Sequence, residues 1–124
     1  MPAFTLRKRL QSLRHAIAGL GVLIRSQHNA RIHLVVSVVV IGMATVFELS
    51  PLEWSAVIFA VALVWMAEAL NTGIELVCDV VSPEFHPKVK QAKDVAAAGV
   101  LVAVLGAVCV GLIIFLPRFV VLLH

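Results

Sequence analysis

Glu68, Asn71, Glu75 and Asp79 fall at helical spacing in the middle of this 124-residue chain. On a helix turning about 100° per residue they sit near 0°, −60°, −20° and +20°, one narrow stripe. Leu70, Ile74, Leu76 and Val77 lie mainly off it. Farther along come His86, Lys88, Lys90 and Lys93, then a further carboxylate, Asp94. Hard carboxylate and amide oxygens suit Mg²⁺, and lysine serves phosphate oxygens as a point charge. Together these residues are the parts of a metal–phosphate site. A helix–helix ion-pair network, with Asp79 and Asp94 as solvated helix ends, would use the same residues without chemistry.

The setting makes the stripe expensive. Hydrophobic residues make up 61% of the chain and charged residues 14%, against roughly 45–50% and 25% in soluble domains. A single domain of this size, residues 1–124, has too much surface to hide that many apolar side chains in water. The chain therefore reads as a membrane protein, and carboxylates inside a span need cations, protons or the interface to relieve them. The net charge of +3 is no nucleic-acid signal, because aromatics for base stacking are few. Cys78 and Cys109 stand in apolar surroundings and read as buried packing residues.

Three apolar segments, 32–50, 54–81 and 95–118, reach the roughly 17–25 residues that a spanning helix needs. They are continuous rather than alternating, which excludes barrel strands. Arg7, Lys8, Arg9, Arg14, Arg25 and Arg31 precede the first span, and Lys88, Lys90 and Lys93 occupy the predicted loop 82–94. Only Arg118 falls on the other side, so the N-terminus and that loop are placed in the cytoplasm. In segment 4–26, Leu6, Leu10, Leu13, Ile17, Leu20 and Ile24 recur at steps of three and four. That stripe predicts a basic amphipathic helix lying in the interface. The small residues Ala92 and Ala96 to Gly99 allow the second and third spans to approach closely. No phosphate-binding glycine loop of the usual kinds is present. His15, His28, His33, His86 and His124 lack zinc-ligand spacing, and His28 and His33 read as interfacial histidines.

The run EALNTGIELVCDVVSPEFHPKVKQAKDVAAAGVL (68–101) resembles the prokaryotic diacylglycerol kinase family of small integral membrane kinases. The pattern E-x-x-N-x-x-x-E-x-x-x-D, then A-K-D after a short loop, carries the likeness, which extends upstream through HNARIHL (28–34). The segment after Val81 looks closer to the undecaprenol kinase branch. The resemblance implies an all-α homotrimeric bundle with active sites shared between subunits, each chain an interfacial helix plus three transmembrane helices. It further implies transfer of the γ-phosphoryl group of Mg-ATP to a membrane lipid alcohol, undecaprenol or diacylglycerol, at the cytoplasmic face of the bacterial inner membrane.

By position, Glu68 matches the general base and, with Arg31, the lipid site; Glu75 matches a Mg²⁺ ligand. Asn71, Lys93 and Asp94 match groups around the nucleotide phosphates, and Asp79, Glu84, Phe85 and His86 fall where the family supports the nucleotide. Lys8 or Arg9 and His15 occupy the region that closes over ATP. Gln27 stands where the best-studied branch has a second metal-binding glutamate; its amide oxygen can coordinate but brings no charge. The rival class is a small cation- or proton-coupled transporter using Glu68 and Glu75. Its marks, an inverted repeat and a polar path to both sides, are missing from this pattern.

Overall fold

A computed structural model of the chain, describing residues 5–124, contains four helices: α1 (Leu6–Ser26), α2 (His28–Val46), α3 (Pro51–Val81) and α4 (Pro87–Leu122). No strand occurs among the described residues. Phe4, where the amphipathic segment was predicted to begin, lies outside them. By length and composition α2, α3 and α4 can each cross a membrane, so the chain is a multi-pass membrane protein.

Local chemistry sets the helix ends. Gln27 alone, in extended conformation, separates α1 from α2. The Arg31 guanidinium donates back to the carbonyls of Ile24 (3.0 Å) and Arg25 (2.6 Å), satisfying acceptors that the end of α1 leaves orphaned. A turn with Glu48 at positive φ leads into α3, which opens on a capping box. There the Glu53 backbone N–H donates to Ser50 Oγ (3.2 Å) and the Ser50 N–H donates to Glu53 Oε2 (2.9 Å). Pro51 fills the first helical turn, where its missing N–H costs nothing.

The predicted loop 82–94 is helical from Pro87 onward, leaving a five-residue connector, 82–86. His86 Nδ1 accepts the Lys88 N–H (3.1 Å) and Pro87 again suits the first turn, so the helix starts well ahead of its apolar run. Lys88, Lys90, Lys93 and Asp94 thus stand on a rigid helix. At the far end α4 continues through Pro117 to Leu122, past the predicted stop at 118. Pro117 withdraws one helical hydrogen bond, and Arg118 Nη1 donates to the nearby Ile114 carbonyl (2.6 Å).

Helix α3 is the spine, on which α1, α2 and α4 all pack. The buried core gathers at one end, around Ala44, Leu49, Val57, Ile114 and Phe115. Phe47 meets Phe119 there edge-on, centroids 5.1 Å apart. Arg118 Nη2 reaches both oxygens of Glu53 (3.0 and 2.8 Å), clamping α4 to the start of α3. On α1 the stripe Leu6, Leu10, Leu13, Ile17 and Leu20 is exposed. Cys109 is exposed as well and Cys78 only half-buried, so the expected burial of the cysteines is not met within one chain; both are free thiols.

Candidate active site

The polar stripe occupies the last turns of α3, at the end opposite the core. Burial grades along it: Glu68 is 2% exposed, Asn71 and Thr72 are buried, Glu75 is half-buried and Asp79 is exposed. Glu68 Oε1 lies 2.9 Å from Nε2 of His33, reaching across from α2. One turn away Trp65 Nε1 donates to Ser37 Oγ (3.0 Å), and that hydroxyl donates to the His33 carbonyl (2.6 Å). Two side-chain links therefore hold α2 in register on α3 beside the buried carboxylate.

Toward the helix end Asn71 Nδ2 donates to Glu75 Oε1 (3.3 Å). Lys93 Nζ then crosses from α4 to Asp79 Oδ1 (2.6 Å). Lys93 precedes the apolar run that begins at Val95, and its hydrogen bond with Asp79 raises its pKa above the ordinary lysine value, keeping the ammonium charged. Asp94 is its sequence neighbour but faces elsewhere, taking a 2.6 Å bond from Lys90 one turn earlier.

Two buried oxygens, Asn71 Oδ1 and Thr72 Oγ1, have no hydrogen-bond partner. Buried polar atoms normally find one, so an orphaned amide oxygen beside a carboxylate suits a hard cation or a bound polar group. No group of three or more His, Cys, Asp or Glu side chains is assembled for a metal ion among the described residues. One chain thus offers Asn71 and Glu75 as ligands. Mg²⁺ commonly takes one or two protein oxygens and completes its shell with phosphates and water.

Of the residues singled out from sequence, Glu68, Asn71, Glu75 and Asp79 follow one another along α3, with Asn71 bonded to Glu75 and Lys93 bonded to Asp79. Glu84, Phe85 and His86 form the connector at the same end; the Glu84 carbonyl accepts Ser82 Oγ (2.9 Å) and the Phe85 ring is exposed. Gln27 is half-buried at the α1–α2 break, with no hydrogen bond or ion pair to the stripe, and Arg31 is engaged with the end of α1. Arg9 and His15 are exposed along α1.

Sequence reasoning missed His33 and Thr72. His33 is not a loose interfacial histidine: its side chain is 18% exposed and bonded to Glu68. An imidazole within an apolar run was the available signal, because such a group needs a partner. Thr72 follows Glu68 by one helical turn and so shares its face, which the spacing alone indicates.

The family model for prokaryotic diacylglycerol kinase matches residues 14–115, from α1 through the core end of α4. The chain belongs to that family. It is 33% identical over 113 residues to a Bacillus subtilis protein named undecaprenol kinase, covering 91% of this chain and 92% of the relative. A Synechocystis diacylglycerol kinase is 38% identical over 109 residues, 87% of this chain but 62% of the longer relative. A Pseudomonas aeruginosa diacylglycerol kinase is 33% identical over 98 residues, covering 79% and 80%. The protein is accordingly an enzyme of a lipid kinase family.

Proposed function

We propose that the chain transfers the γ-phosphoryl group of Mg-ATP to the hydroxyl of undecaprenol, giving undecaprenyl phosphate. The observation that carries this reading is that His33, the hydrogen-bonding partner of Glu68, lines an apolar groove. The groove, about 330 Å³, runs between α2 and α4 over α3, lined by residues such as Val40, Val64, Val104, Val108 and Phe115, with His33 on its wall. A hydroxyl carried on a long apolar chain is the substrate that could reach a buried carboxylate by that route. Likeness along nearly the whole chain to a relative named undecaprenol kinase favours that alcohol. Relatives named diacylglycerol kinase support the second reading, diacylglycerol giving phosphatidic acid.

Glu68 takes the proton of the lipid hydroxyl as its oxygen bonds to the γ-phosphorus and the bond to the ADP oxygen breaks. Lys93 offsets negative charge on the phosphate oxygens, and Asp79 aims it from one helical turn beyond Glu75. Asn71 and Glu75 would hold Mg²⁺, which when bound supplies charge neutralisation to the phosphates. Glu84, Phe85 and His86, on the short connector, would meet the nucleotide. Arg9 and His15 would close over it from α1, and Arg31 would lie toward the lipid.

The positive-inside pattern supports a cytoplasmic site in the bacterial inner membrane, since the starts of α2 and α4 and the end of α3 share one membrane side. The family likeness supports a homotrimer with shared sites. Initial rates on undecaprenol and diacylglycerol, side by side in mixed micelles with Mg-ATP, test the substrate. A kcat/KM at least tenfold higher for undecaprenol is expected; the reverse preference would move the enzyme to glycerolipid metabolism.

A further inference from the structure

We propose that His33 is a positioning residue that orients the Glu68 carboxylate for proton abstraction, an inference that rests on the lipid kinase reading above. Glu68 is 2% exposed, and the His33 imidazole is its hydrogen-bonding partner. A carboxylate in an apolar slot is free to turn about its last bond unless something holds one oxygen. His33 Nε2, at 2.9 Å, holds Oε1. The second oxygen, Oε2, is left to accept the hydroxyl proton, so the base presents one defined lone pair to the substrate. The bond needs the tautomer with its proton on Nε2, because a carboxylate can only accept.

His33 is also on the wall of the apolar groove, so the group that aims the base stands where the lipid headgroup would arrive. Its own place is set from behind: the Ser37 hydroxyl holds its backbone carbonyl and is held in turn by the Trp65 indole. A purely structural account would treat the His33–Glu68 contact as a staple between helices, equivalent to the Arg118–Glu53 clamp. The two accounts separate experimentally, because only one of these contacts touches the base.

The test uses the full-length purified protein in lipid micelles, with wild-type transfer from Mg-ATP to lipid as the reference. His33→Leu should lower kcat by about 10–100-fold at unchanged KM for Mg-ATP. His33→Gln, which returns an N–H donor, should recover most of that loss. Arg118→Leu, which breaks the clamp of α4 on Glu53 at the far end of the bundle, should lower thermal stability while holding kcat within about twofold. Equal kcat losses in His33→Leu and Arg118→Leu, or no rescue by glutamine in a folded protein, would overturn the proposal. Should His33→Leu not fold, nitrogen-15 spectra of the histidines decide: the Nε2-protonated tautomer at His33, shifted by Glu68→Gln, supports it. The Nδ1-protonated tautomer, indifferent to residue 68, refutes it. A wild-type chain that labels no lipid would instead remove the kinase reading itself, an outcome distinct from any ranking of variants.

Discussion

Replacing Glu68 by glutamine separates the base from the scaffold. The side chain is almost fully buried, and its 2.9 Å contact with His33 is one that a glutamine amide oxygen can still accept. Shape is conserved, so no cavity opens. A neutral hydrogen bond replaces a charge-assisted one, a loss of about 1 kcal/mol. Removing a desolvated charge acts in the opposite direction. The net change in folding stability should therefore stay within about 1 kcal/mol, a few degrees in Tm for a domain of this size. The rate should respond on another scale. A positioned general base contributes about 10²–10⁴-fold, or roughly 2.7–5.5 kcal/mol at 1.36 kcal/mol per decade. Initial rates at saturating Mg-ATP and lipid, thermal denaturation and equilibrium nucleotide binding together make the assay. The expected result is a rate loss of at least about 100-fold with nucleotide binding and Tm nearly unchanged. A rate within tenfold of wild type would show that Glu68 is no base. Equal loss of rate and nucleotide binding would make it a metal or phosphate group.

Other outcomes follow from the same geometry. Lys93→Met should lower kcat by about 10²–10³-fold while the fold survives, because the Asp79 carboxylate it leaves is 63% exposed and such pairs add little to stability; a loss under threefold would reduce Lys93 to an ion-pair partner. Gln27→Glu should lower the Mg²⁺ concentration for half-maximal activity, and an unchanged Mg²⁺ profile would remove residue 27 from the metal. Arg118→Leu breaks the two-pronged contact with Glu53 at the far end of the bundle. Its Tm should fall while kcat, measured well below the new Tm, stays at the wild-type value; a matching fall in kcat would mean that the two ends are coupled.

Much of the architecture was legible because lipid simplifies the pattern: three long apolar runs and one amphipathic stripe already imply these helices. The carboxylate stripe was legible for a related reason, since residues on one helix carry their relative angles in their spacing. The His33–Glu68 pair was not, because it depends on how α2 slides against α3, and periodicity within each helix is silent on the register between them. The start of α4 was misjudged for a different cause. Charge at Lys88, Lys90, Lys93 and Asp94 reports where water begins, whereas the helix begins where His86 and Pro87 cap it. Asp94 illustrates the same gap: adjacent to Lys93 in sequence, it bonds Lys90 on another face, while Lys93 finds Asp79 across the helix pair.

The most direct test of the central claim is whether purified wild-type chain, folded in lipid micelles with Mg-ATP carrying a labelled γ-phosphate, moves the label into the organic phase on a lipid alcohol. A lipid kinase must produce a labelled phospholipid in step with ADP, dependent on Mg²⁺ and lost in Glu68→Gln. Folded protein that leaves all label in water with both undecaprenol and diacylglycerol present would contradict the assignment and send Glu68 and Glu75 to be tested as a cation pathway.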